Sequence, residues 1–343
     1  MKKLMALFAA LALVLTMAIP AMAAGSAVTY TITIKNPVGS YEAYQIFSGR
    51  LESGVLSDVQ WGTGITEAGK THFGNAAVKA KSLNGVADNA AEAMAFAKEV
   101  AGYLSTTYKG SVAYAAGAST TTIENLPAGY YLIKNTAGSV GEDSYYTDFI
   151  MEVVENVTVS PKGDKPSLDK QIKHNENGEW GVVGDNQIGD TVEFRTITTV
   201  PNVAGYTSYD YIIKDTMSAG LTSNVTSAAN VTIKVKTADG SALENSYYTV
   251  TATGNSFEVK IDILQAISDG KIAAGDSLYT YYTGVLNKDA KIYNDKQDNT
   301  AHLEYSNNPN DTASKGKTPE KKVYDWTYQM EVSKVDGKDG STQ

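Results

Sequence analysis

The sequence predicts a mainly β protein of tandem immunoglobulin-like β-sandwich domains, the first with one inserted helix. Three observations carry that expectation. Short runs rich in Val, Ile, Thr and Tyr alternate apolar and polar residues, with Gly, Asn and Asp turns between them at regular spacing. At 343 residues the chain has room for two to three domains, each with its own core. The apolar period switches from two to a sustained three-and-four in one place, between Asn89 and Leu104.

The first 23 residues stand outside that pattern. Lys2 and Lys3 precede an apolar run from Leu4 to Ile19, then Pro20 and Ala21-Met22-Ala23. A basic start, an apolar middle and a small-x-small end read as a secretory signal peptide cut after Ala23. Removing it takes two lysines and no acid, leaving 27 basic against 38 acidic residues and a net charge of −11. Residues 24–160 read as the first β-sandwich. Val28 to Lys35 is its first strand, Asn36-Pro37 and Gly39 turn the chain, and Tyr41 to Phe47 is the second strand. In the helix, Ala90, Met94, Ala97, Ala101 and Leu104 share one face, and Asn89 with Glu92 resembles a capping box. Leu126-Pro-Ala-Gly129 leads into a strand ending at Lys134. Thr147 to Val154 and Asn156 to Val159 are expected to close the domain as a pair.

Residues 161–166 form a linker, because Pro161, Gly163 and Pro166 break regular structure around Lys162. Lys162 is therefore expected to be exposed. Residues 167–310 read as the second, immunoglobulin-like domain. Leu168, Lys170 and Ile172 fall on one side of its first strand, so Lys170 faces inward. Val192, Phe194 and Thr196 share a face of the next. Tyr209 to Lys214, Val231 to Val235, Tyr247 to Thr251, Phe257 to Ile261 and Ser277 to Leu286 are further strands, with a helical turn at Ile263 to Ser268. Asp215 follows one of these strands, and Asn299 opens the last, Thr300 to Tyr305. Residues 311–322 read as a second linker. From Val323 the alternation resumes through Trp326, Tyr328, Met330 and Val332, so residues 323–343 are expected to begin a truncated third β domain of a longer protein.

Composition removes several function classes. There is no cysteine, which excludes thiol catalysis, cysteine zinc sites and disulfides in a chain expected to be exported. His72, His174 and His302 have no ligand spacing, so neither a metal site nor a Ser-His-Asp triad is expected, and no cofactor. The acidic balance argues against nucleic acid as a partner. A glycan-active enzyme would need a carboxylate pair, and no aromatic-flanked pair stands out.

Several phrases then converge: the leader Met1 to Ala23, Val159-Ser-Pro-Lys162, Pro166-Ser-Leu-Asp-Lys170, Ile188-Gly-Asp-Thr-Val-Glu-Phe194, Ile213-Lys-Asp-Thr-Met-Ser-Ala-Gly-Leu-Thr222 and Asn299-Thr-Ala-His-Leu-Glu-Tyr-Ser-Asn-Asn-Pro309. Together they resemble the major shaft pilins of Gram-positive bacteria. The second domain is similar to the fimbrial isopeptide-forming domain, and Met330 to Asp336 resembles the start of a collagen-adhesin B-type domain. The resemblance implies a structural subunit of a covalently polymerised cell-wall pilus, not an enzyme acting on other molecules. It implies that a sortase joins subunits through Lys162, with Lys165 as the nearest rival lysine. Ser160 stands where the family's motif has Tyr, the upstream Trp is missing, and no sorting signal lies within the chain. Further implied partners are other copies of the chain, cell-wall peptidoglycan and host surface ligands. A non-polymerising adhesin or minor pilin of the same domain type is the alternative.

The resemblance also implies a Lys–Asn isopeptide bond, with Lys170, Asp215 and Asn299 matching the family's lysine, acid and asparagine. Asn294 is the rival acceptor and Glu304 the rival acid. The chemistry follows from burial. A core lysine is driven toward its neutral, nucleophilic form and a core carboxyl toward its protonated form. The acid then polarises the Asn carbonyl and passes a proton to departing ammonia. In the first domain Lys35 has no comparable trio, and Lys334 matches the reactive lysine of the third.

Overall fold

Strand alternation sets the layers, because every second side chain must find a core. The computed structural model describes residues 28–83, 91–160, 165–203, 205–293 and 295–328. It divides into two units, the first built mainly of the chain through Lys165 and the second of residues 166–203, 208–306 and 317–343.

The first unit is a sandwich with helices on one side. Strands β1 (Thr29–Lys35), β5 (Thr120–Pro127) and β8 (Val157–Val159) form one sheet, ordered β5-β1-β8. Strands β2 (Tyr41–Glu52), β3 (Val55–Trp61), β6 (Gly129–Asn135) and β7 (Asp148–Val153) form the other, ordered β3-β2-β6-β7, with β4 (Gly110–Val112) also on β2. β2 is buried at almost every position from Tyr41 to Phe47, because both of its faces are covered. Tyr41 and Ala43 join Ile32, Ile34, Ile123, Tyr131 and Ile133 in one core, while Tyr44, Ile46 and Phe47 pack with the helices in another. The two strands expected to close the domain as a pair instead go to different sheets. β7 lies antiparallel to β6, and β8 lies parallel to β1.

Among the described residues of the first unit three helices occur where the sequence indicated one. α3 (Ala91–Ala101) is the expected helix. Its buried positions include Phe96, Ala97 and Val100, so the larger apolar side chains set the face. Asn89 and Ala90, the expected helix start, lie outside the described residues. α1 (Glu67–Phe73) and α2 (Ala76–Ser82) precede it, started by the Thr66 and Asn75 side chains, which accept from Gly69 and Val78 backbone N–H groups. Seven residues make too short a window for helical periodicity to register.

The second unit is a sandwich of two sheets. One runs β10 (Trp180–Gly181), β9 (Leu168–Lys173), β12 (Thr191–Thr199), β18 (Ser277–Leu286), β14 (Leu221–Ser223), with β15 (Thr232–Val235) also on β18. The other includes β16 (Tyr248–Thr253), β17 (Ser256–Ile261), β13 (Tyr211–Met217), β19 (Gln297–Ser306), β20 (Lys321–Trp326) and β11 (Val183–Asp185), neighbours in that order. A short helix, α4 (Ile263–Ser268), follows β17, its start capped by Asp262. The strands alternate inward and outward almost without exception; β18 does so over its whole length. Gly284, on the inner side of β18, lets β13 and β14 come close: a Cβ there would fall 2.9 Å from Met217 Sδ and 3.0 Å from the Thr222 carbonyl.

Three boundaries differ from the sequence reading, the first being the expected linker 311–322, within which Lys315–Lys317 form a short strand paired with β19. Asn299 lies within β19 rather than at its start, since pairing begins at Gln297. The alternating run expected to open a third domain starts as β20, which pairs antiparallel with β19 and parallel with β11. Alternation marks a strand but not the sheet that will accept it, and the free edge of β19 takes this one. Residues 329–343, with Met330 and Lys334, lie outside the described residues.

Candidate functional site

The core of the second unit contains the one buried lysine among the described residues. Lys170 is 1 % exposed, Asp215 2 % and Asn299 0 %. Parity puts them there. Lys170 shares its face of β9 with Leu168 and Ile172, Asp215 its face of β13 with Ile213 and Met217, and Asn299 its face of β19 with Ala301 and Leu303. Asp215 and Asn299 sit on adjacent antiparallel strands. Asp215 is opposite Ala301 and Asn299 opposite Met217, so they are diagonal neighbours on the inner face. Lys170 comes from the opposing sheet.

Lys170 Nζ donates to Asp215 Oδ2 at 2.5 Å and also to the Tyr282 hydroxyl. The Tyr282 hydroxyl donates to the same Asp215 Oδ2 at 2.5 Å. Aromatic rings wall the contact. Nζ lies 5.0 Å from the Tyr282 ring centre and 5.6 Å from that of Phe194. Tyr282 stacks on Phe194 at 5.9 Å and meets the edge of Phe257 at 4.8 Å. Burial lowers the Lys170 pKa, with the Asp215 carboxylate opposing. Burial, reinforced by the charge on Asp215, holds the Tyr282 hydroxyl well above its ordinary range, so it stays protonated.

Asn299 completes the set in an unusual state. Neither its Oδ1 nor its Nδ2 has a hydrogen-bond partner, nor does Asp215 Oδ1. The amide is still close enough to the Tyr282 hydroxyl to oppose the rise in its pKa. A buried polar group left unpaired costs about 1–3 kcal/mol, so two such atoms on one side chain call for an explanation. A lysine poised toward neutrality, a carboxyl group in contact with it and an unpaired amide form a set suited to amide exchange: attack by Nζ on Cγ, with loss of ammonia.

No protein-family model matches the chain, and no curated protein matches it. Solved structures do. The T6 backbone pilin of serotype M6 Streptococcus pyogenes superposes with a TM-score of 0.59 at 18% identity, over 93% of this chain and 69% of that one. The major pilin SpaD of Corynebacterium diphtheriae gives 0.48 at 17% identity, over 85% and 65%. The major pilin BcpA of Bacillus cereus gives 0.45 at 12%, over 87% and 69%. This chain has the fold of a Gram-positive backbone pilin.

Within that pilin fold the remaining candidates fall into distinct settings. Lys162, the expected joining lysine, lies outside the described residues, as does the rival acceptor Asn294. Lys165 forms an ion pair with Asp143 at 2.8 Å, with both side chains 42% exposed. Glu304, the rival acid, points outward from β19 and pairs with Lys214, away from the core trio. Lys35 is exposed at the end of β1. Among the described residues no acidic or histidine cluster is arranged to hold a metal ion, and no helix is long and apolar enough to cross a membrane.

The sequence reading missed Tyr282. Its signal was present. The run Ser277 to Leu286 alternates, and Tyr282 has the parity of Leu278 and Leu286, whereas Tyr279 and Tyr281 have the other. What alternation does not give is the register that puts Tyr282 opposite Phe194 and beside Lys170.

Proposed function

We propose that this pilin-fold chain is a structural subunit of a covalently polymerised cell-surface pilus, and that its second unit seals itself with an amide bond between Lys170 and Asn299. The observation that carries the reading is the sealed contact of Lys170 with Asp215 beside an amide that has no partner. Burial drives the Lys170 amine toward its neutral form. Neutral Nζ attacks Asn299 Cγ. Asp215 polarises the carbonyl and delivers a proton to Nδ2, which leaves as ammonia. Fixed neighbours act at a very high effective concentration, so no external enzyme is needed.

The pilus role rests on the backbone-pilin fold and on Lys162. That lysine, flanked by Pro161 and Gly163, serves as the acceptor through which a sortase joins one copy to the next, with cell-wall peptidoglycan as the final anchor and host surface ligands as further partners. The first test is the intact mass of the chain, expected to fall short of the sequence mass by one ammonia and to regain it in Asp215→Ala. A wild-type chain of full mass removes the bond. The second is a denaturing gel of surface extracts, expected to show a ladder of covalent oligomers that Lys162→Ala abolishes and Lys165→Ala leaves intact. Single bands in wild type favour a non-polymerising adhesin of the same fold.

A further inference from the structure

The trio leaves one stereochemical question open: what aims the amine and chooses which carboxyl oxygen acts. We infer that Tyr282 is a positioning residue for bond formation, holding Lys170 and Asp215 so that the amine lone pair and the carboxyl proton are both turned to Asn299. The inference rests on the amide-bond reading above.

A neutral amine has two N–H bonds and one lone pair. Lys170 Nζ has two acceptors, Asp215 Oδ2 and the Tyr282 hydroxyl oxygen. With both N–H groups engaged, the lone pair is the only valence left for a third neighbour. Asp215 Oδ2 in turn accepts from Lys170 and from the Tyr282 O–H, which fills both of its lone-pair sites. In the protonated acid that the amide-bond reading uses, the proton therefore sits on Oδ1, the oxygen without a partner. Asn299, the diagonal neighbour, offers a carbonyl and an amide nitrogen that are likewise unpaired. One hydroxyl thus fixes the direction of the nucleophile and the identity of the acidic oxygen. Its ring is itself held by Phe194 and Phe257.

The step balances. The Nζ–Cγ bond forms and the Cγ–Nδ2 bond breaks. The Oδ1 proton passes to Nδ2 as ammonia leaves, and Oδ2 takes the proton that Nζ sheds. Asp215 ends protonated, as it began, and Tyr282 keeps its own proton throughout.

The test uses the full chain, taken unfolded and unbonded from inclusion bodies and released into refolding buffer, with ammonia loss followed by intact mass over time and pH. Tyr282→Phe keeps the ring and removes the hydroxyl. Misaiming of a reacting pair costs about a hundredfold, so bond formation is expected to slow by about that factor. The pH profile separates aiming from packing. Without the hydroxyl the ammonium loses an acceptor, so the limb on which Lys170 sheds its proton moves to lower pH. Lys170, Asp215 and Tyr282 are the titratable groups at the contact. Phe257→Leu, which loosens the support of the Tyr282 ring but leaves the hydroxyl, is expected to leave the Lys170 limb in place. Should Tyr282→Phe fail to fold, 3-fluorotyrosine at position 282 serves instead. It is a poorer acceptor, so the Lys170 limb should again move to lower pH. A wild-type rate in Tyr282→Phe, or a slowed rate with an unmoved Lys170 limb in either variant, overturns the inference. If the wild-type chain never loses ammonia, the amide-bond reading falls and this one with it.

Discussion

Asn299→Ala isolates what the proposed cross-link contributes to stability. The substitution deletes the acceptor amide but leaves Lys170 bonded to Asp215 and Tyr282. Because neither amide atom has a partner, its loss breaks no hydrogen bond. The remaining differences from the bonded wild type are the cross-link and the freed Lys170 amine, whose burial adds to the loss. The cross-link closes a loop of about 130 residues, and constraining the unfolded chain over that length stabilises the fold by about 5 kcal/mol. For a domain of this size each kcal/mol moves the midpoint by about 2–4 °C, so Asn299→Ala should melt about 10–20 °C lower. Lys170→Ala should melt lower still, since it also takes a donor from Asp215 Oδ2 and empties the space that the buried lysine chain fills, a loss of about 2–5 kcal/mol. Calorimetry on the full chain, paired with intact mass, reads both. A wild-type chain short by one ammonia whose Asn299→Ala variant melts within a couple of degrees would refute the loop-entropy reasoning.

Two further outcomes follow from the same core. In Asn299→Ala the Lys170 amine is free to titrate, and burial sets its folded-state pKa below the unfolded value of about 10.4. Between those values the unfolded chain binds more protons, so stability should rise with pH through the window and level off above about 10.4. The urea midpoint of the variant, referred to the wild type whose amide nitrogen does not titrate, should climb as pH rises toward about 10.4; a flat or falling difference would contradict the assigned burial. The Thr196 hydroxyl, beside Lys170 in the β9–β12 register, is buried without a partner. Thr196→Val should therefore raise stability by about 1 kcal/mol in urea titration, and a loss of that size would mean that the hydroxyl is bonded.

Alternation and turn chemistry are local properties, and most of the strands were legible from them. Ser277 to Leu286 and the helical turn Ile263 to Ser268 have the bounds that the sequence suggests, and Lys170 faces inward because Leu168 and Ile172 do. The same parity logic makes Asp215 and Asn299 inward residues once their strands are recognised. Pairing is not local. No pattern within β8 says that it runs parallel to β1, and none within β20 says that it completes the sheet of the second unit rather than starting a new domain. Those choices depend on which edge is free when the strand arrives, and edges exist only in the assembled sheet. The helices α1 and α2 escaped notice because their starts rest on single side chains, Thr66 and Asn75, and not on a repeating face. At the site, sequence supplied Lys170, Asp215 and Asn299 through resemblance, one from each of three strands. It did not supply Tyr282, whose role depends on facing Phe194 in register and on two sheets closing to put one hydroxyl against both an amine and a carboxyl group. Side-chain parity is written along a strand, whereas the meeting of four side chains from two sheets is written only in their packing.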